Sequence, residues 1–209
     1  MIRQMRRETS TVVVLAGEVS DGLLAGIAGF PNVSVARAAA TADARPAVAQ
    51  ASSRLSWERG ALAMREAGRR RSTYVIVPDD PLAGVAASWR AMWDGPGEGS
   101  AGFEQQAAEA LTAWHGKQFE LPDYYLVMAP AGGSEAGPDL YLGPLRAARP
   151  RRVAVAGGAD GADQAERVLD ALKVLEHGPW WPPLDELLDS VRQFYAGGLA
   201  ESQNRVVTS

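Results

Sequence analysis

A chain of 209 residues with 46% hydrophobic and 22% charged residues has the make-up of one folded domain, which excludes wholesale disorder and leaves little room for two full domains. The formal charge of −4 and a pI near 5.3 argue against a nucleic acid as partner, since binding by counterion release needs a clustered basic face. With no cysteine, disulfides, thiolate nucleophiles and cysteine-held zinc are excluded, and a cytoplasmic location is expected.

The opening ten residues read as a basic tail carrying Arg3, Arg6 and Arg7. The apolar run that follows stops at Gly17-Glu18, too soon for a signal-peptide core, and no stretch reaches the roughly 18 apolar residues of a membrane span. Residues 12–16 form a short β-branched run, the pattern of a strand covered on both faces in a parallel sheet. Ser20 or Asp21 is placed to cap a short helix through Leu23, Leu24 and Ile27, with a second strand over 33–36.

Residues 38–52 are alanine-rich and weakly periodic, so a loop or frayed helix is expected there, with a helix opening at Ser53 and running to Gly68. Residues 74–77 form the next strand. Asp80-Pro81 then signals a helix start, because an Asp cap satisfies free backbone N–H groups and proline suits the first helical position. Loss of that cap is expected to cost about 1 kcal/mol.

Gly95 to Ser100 reads as a loop, residues 103–119 as a helix, 124–128 as a strand and 130–138 as a second glycine-rich loop. A helix over 140–148 should be shortened or kinked by Pro144. A strand over 152–156 ends at Gly157-Gly158 and precedes a helix over 163–176. The last helix places Leu184, Leu187, Leu188, Val191, Phe194 and Tyr195 on one face, between Pro182-Pro183 and Gly197-Gly198. The expectation is a three-layer, Rossmann-like α/β fold with a mainly parallel sheet, one domain over 11–198 and a flexible tail over 199–209. The last helix should dock on its own sheet, since a lone amphipathic helix does not hold in water.

Ligands of open parallel sheets gather beyond the carboxyl ends of the strands, and acidic residues recur there: Glu18, Asp79, Asp80, Asp160 and Asp163. Glu18, Asp79 and Asp160 are the candidate metal ligands, able to hold Mg²⁺ against a phosphorylated substrate if they converge, with Glu18, Asp79 and Asp80 as the catalytic candidates. Helix capping is the competing role for each aspartate. Gly17, Ser20, Gly157, Gly158 and Asp160 are the candidate ligand contacts, through backbone N–H groups offered to a phosphate. Gly17 and Gly22 keep phosphate-loop spacing, but Leu23-Leu24 stands where that motif has its Lys and Ser or Thr.

A Glu after the first strand and an acidic pair after a later one is similar to the Mg²⁺-binding arrangement of the Toprim domains of primases and nucleases. The chain departs from that pattern. Ala16 stands where the motif has its Glu, Glu18 lies beyond the glycine, and Asp79 and Asp80 are adjacent, so no family is assigned.

His115 and His177 both lie near helix carboxyl ends, and no G-x-S-x-G elbow is present. The arginine runs 69–71 and 149–152 are expected as helix-end or solvated charge. Trp89 and Trp93 share a helix face. Trp180-Trp181 pack in the core or anchor another chain, since adjacent indoles before Pro182-Pro183 are hard to bury within one element. Two functions compete: a non-catalytic binding, regulatory or assembly subunit, with another protein or a second copy as partner, and a Mg²⁺-dependent enzyme acting on a phosphorylated or nucleotide substrate. No membrane partner is expected.

Overall fold

The five predicted strands all form and lie parallel in one sheet. In the computed structural model, which describes residues 10–38, 49–94, 98–129, 139–157 and 163–207, they are β1 (Thr11–Gly17), β2 (Val33–Val35), β3 (Tyr74–Val77), β4 (Tyr124–Ala129) and β5 (Val153–Gly157). The order across the sheet is β2-β3-β1-β4-β5. The first strand is therefore central, paired with β3 through Val12 and Val75 and with β4 through Leu15 and Leu126. This order differs from both common doubly wound arrangements, 3-2-1-4-5 and 2-1-3-4-5.

Side-chain alternation divides the core in two, giving the three layers. Val12, Val14, Val75, Val77, Tyr125, Val127 and Val153 face one layer, and Val13, Leu15, Ile76 and Leu126 the other. On the second face lie α1 (Asp21–Ala28) and α6 (Asp163–Lys173), which bury Leu23, Leu24, Ile27, Val168 and Leu172. The first face carries α2 (Ala49–Ala67), α3 (Ala83–Asp94), α4 (Glu98–His115) and α7 (Leu184–Val207). The step from β1 to β2 goes one way across the sheet over the α1 face. The three later steps go the other way over the opposite face, so one hand of crossover serves all four.

The last helix docks on its own chain. Leu184, Leu187, Leu188 and Val191 are buried, and Phe194 and Tyr195 pack around the fully buried Trp89, whose ring also meets Trp93 and Phe103. That aromatic cluster joins α3, α4 and α7.

Several element ends differ from the sequence reading, and close packing explains them. The final helix runs through Gly197-Gly198 to Val207 instead of ending at the glycine pair. A Cβ at Gly198 would lie 2.8 Å from Cη2 of Trp93, so this glycine admits an indole rather than ending the helix. Likewise α4 starts at Glu98, inside the expected loop, and a Cβ at Gly99 would lie 2.7 Å from Cα of Met92. Pro144 produces a π-helical turn over Tyr141–Leu145, followed by the single turn α5 (Arg146–Ala148). The prolyl nitrogen has no hydrogen to give Leu140, whose carbonyl instead accepts from Leu145 N–H at 3.1 Å.

Gly60 lets α2 sit directly on the exit of β3. A Cβ there would lie 2.3 Å from the nitrogen of Pro81 and 2.7 Å from the carbonyl carbon of Asp80, both backbone atoms that cannot yield cheaply. Gly60→Ala should therefore lower stability by roughly 1–3 kcal/mol in urea denaturation, although the same change in an exposed helix gains up to about 1 kcal/mol. A stabilised variant would show that α2 does not rest on this turn.

Candidate functional site

The carboxyl rim of the sheet holds the sequence-predicted site, and its switch point lies between β1 and β4, whose outgoing connections diverge. Gly17 ends β1 with φ +108°, and a Cβ on it would lie 2.9 Å from the Met128 carbonyl oxygen of β4. Only glycine fits this backbone, and the reason is the neighbouring strand. Glu18 follows, exposed. Ser20 caps α1, its Oγ accepting from Leu23 N–H at 3.1 Å, and exposed Asp21 pairs with Arg37 at 2.6 Å. Two exposed acids at this helix start disfavour an anion there.

Asp79 is engaged on both oxygens. Arg59 of α2 donates to one at 2.8 Å, and the Ala38 amide, just past β2, donates to the other at 3.3 Å. Its carboxylate ties the exits of β2 and β3 to α2.

Asp80 does act as the expected cap, its Oδ1 accepting from Leu82 N–H at 2.9 Å. The helix proper begins at Ala83, two residues later than Pro81. Capping is only part of its role. Asp80 is 6% exposed, and it also accepts the Tyr125 hydroxyl of β4 at 3.3 Å and the Tyr141 hydroxyl of the π-turn at 2.5 Å. Burial pushes its carboxyl up to about 6, against the lowering effect of the bonds from Tyr141, Leu82 and Tyr125. Burial, reinforced by Asp80, raises both phenols well above their ordinary range, so they stay protonated.

The described candidates have different surroundings. Glu18 points to solvent, Asp79 is paired, Asp80 is enclosed, and Asp163 is the first residue of α6. Among the described residues no three His, Asp or Glu side chains are grouped to hold a metal. Gly157 closes β5 opposite Ala129, while Gly158, Asp160 and the loop 130–138 lie outside the described residues, as do Arg3, Arg6 and Arg7.

At the opposite end of the sheet, the arginine run expected as solvated or helix-end charge grips the segment before α7. Arg152 is 5% exposed. Its Nε, Nη1 and Nη2 donate to the carbonyls of Pro179, Asp123 and Gly178 at 3.1, 3.1 and 2.7 Å, and its guanidinium lies between the rings of Tyr124 and Trp180. Arg151 donates to the His177 carbonyl, Arg149 to that of Trp180 and the Tyr124 hydroxyl to that of Glu176. Every carbonyl from Glu176 to Trp180 thereby accepts a side-chain hydrogen bond. By contrast, Arg69 and Arg70 make exposed pairs with Glu66 close to the end of α2, as expected.

The two candidate interface tryptophans have different surroundings. Trp181 is 4% exposed, donates from Nε1 to the Pro122 carbonyl at 2.8 Å and meets the Tyr125 ring. It is core and offers no surface to another chain. Trp180 is half-buried against Arg152. No helix among the described residues is long and apolar enough to cross a membrane.

No protein-family model, curated protein or solved structure matches the chain.

Proposed function

We propose that the chain is a non-catalytic binding and assembly subunit that associates with a second copy along the outer edge of β5. The observation that carries this reading is the make-up of that edge. Among the described residues β5 pairs on one side only, with β4, and its sequence Val-Ala-Val-Ala-Gly holds no charge and no proline, the devices that usually blunt an exposed edge. Val155 is 39% exposed, one of three large hydrophobic side chains so placed among the described residues. The other edge, β2, is three residues long, too short to template much pairing. The competing Mg²⁺-dependent enzyme is weakened by the engagement of two of its catalytic candidates, with Asp79 held by Arg59 and Asp80 enclosed by two tyrosines.

Sedimentation over a range of concentrations tests the proposal. The native chain should exceed monomer mass and Val155→Lys should not, with its melting temperature unchanged. Mg²⁺ with nucleoside triphosphates should leave the melting temperature within about 1 °C, whereas a ligand at a hundred times its dissociation constant adds about 2.7 kcal/mol, or roughly 5–10 °C for a chain of this size. A monomer at every concentration, stabilised by Mg²⁺ and nucleotide, would replace assembly with the enzyme reading.

A further inference from the structure

We propose that Asp80, Tyr125 and Tyr141 form a proton-operated latch between the exit of β3, the strand β4 and the π-turn, holding most tightly when the carboxyl is neutral. The geometry supplies both halves of the device. Asp80 is reached by three donors from three separate segments: Leu82 N–H next to it, the Tyr125 hydroxyl 45 positions on and the Tyr141 hydroxyl 61 positions on. It is also enclosed on every side, by α2 where Gly60 rests on Pro81, by the Tyr125 and Tyr141 rings 5.2 Å apart, and by Trp181 beyond Tyr125.

Among the described residues none of the contacts made to its carboxylate comes from a cation. On α2 the Arg59 guanidinium is bonded to the adjacent Asp79 instead and is largely exposed. On the π-turn the charged neighbour is Asp139, whose Oδ1 accepts from the amides of Tyr141 and Leu142 and whose charge, like that of Asp80, opposes ionisation of the Tyr141 phenol. On β4 the facing group is the Tyr125 phenol alone. Among the described residues this carboxylate has hydrogen bonds but no countercharge in contact, so enclosure outweighs the donors. A neutral acid keeps the Leu82 bond as acceptor and can donate to a phenol oxygen, since a hydroxyl both gives and takes.

The sign follows from proton binding. An unfolded aspartate titrates near 3.8 and the folded one near 6, so between those values the folded chain holds a proton that the unfolded chain has released. The contribution is full below about pH 3.8, declines as pH rises through 6 and is gone above it. The latch is therefore tight in acid and loose at neutral pH, and the first element freed by loosening is the π-turn, whose Tyr141 hydroxyl reaches β3's exit only through Asp80.

The test compares urea denaturation of the full chain and of Asp80→Asn from pH 4 to pH 7. The amide matches the neutral acid in shape and hydrogen bonding and cannot titrate. The ratio of the two folding equilibrium constants, native over variant, should fall about fiftyfold across that range, nearly all of it between pH 4 and 6, and level off above 6. A ratio constant within about threefold overturns the latch. If Asp80→Asn does not fold, carboxyl carbon NMR of the native protein decides: an Asp80 midpoint near 6, with the Tyr125 and Tyr141 ring signals moving together, supports the latch, and a midpoint at or below 4 overturns it.

Discussion

Arg152→Ala should destabilise the chain by about 4 kcal/mol, measured by urea denaturation at neutral pH. The side chain makes three charge-assisted bonds to carbonyls of Asp123, Gly178 and Pro179, and hydrogen bonds to charged groups contribute roughly 1.5–3 kcal/mol each before the remaining groups find water. The loss does not stop at three bonds. Tyr124 and Trp180 would face an empty slot where the guanidinium had been, and of the side-chain hydrogen bonds to the segment 176–180 those from Arg149, Arg151 and Tyr124 would remain. Arg152→Met separates the causes, because it retains most of the stem volume and none of the donors. If hydrogen bonding dominates, Met should be nearly as damaging as Ala. Lysine should recover less than half of the loss, since one compact ammonium cannot reach three carbonyls in the directions a planar fork does. A loss under about 1 kcal/mol for all three variants would mean that the grip on this segment is incidental.

The strands were legible because each is a short apolar run between turn residues, a signal carried within five or six positions. Their order was not, because it depends on which face each connection crosses, and nothing within a single run encodes that. Helix ends failed for a related reason. Gly99 and Gly198 look locally like terminators, yet each sits within a helix where a neighbour comes too close for a Cβ, and those neighbours, Met92 and Trp93, belong to another helix. Pro144 was correctly read as a disturbance, and the π-turn is the form the disturbance takes.

The rim shows the same division between local and distant signals. Asp80-Pro81 announced a cap, and the bond to Leu82 is that cap. The tyrosines that enclose Asp80 lie 45 and 61 positions away, so the sequence carries no hint that this aspartate is buried. Asp79 seemed free to bind metal because Arg59 and Ala38 are remote in the chain. The basic run 149–152 misleads most. Charge patterns near helix ends usually mean solvated side chains, whereas here a strap of consecutive backbone carbonyls, 26 to 31 residues later, accepts from the arginines and takes Arg152 out of solvent.

Trp181→Ala should be the other severe change, costing about 3–5 kcal/mol and lowering the melting temperature by roughly 10 °C even in dilute solution. The indole is enclosed within its own chain. Its removal opens a cavity beside Tyr125, leaves the Pro122 carbonyl without its donor and weakens the wall around Asp80 and Tyr141. Trp180→Ala should cost less, about 1–2 kcal/mol, because it uncovers one face of the Arg152 guanidinium while all three carbonyl bonds remain. Neither change touches the outer edge of β5, so both variants should keep the native mass in sedimentation at concentrations where they stay folded. A pair of interface anchors would behave in the opposite way, with melting temperature preserved and the larger species lost. That outcome would move the assembly surface from β5 to the segment before α7, and would require Trp181 to leave the core when the chains associate.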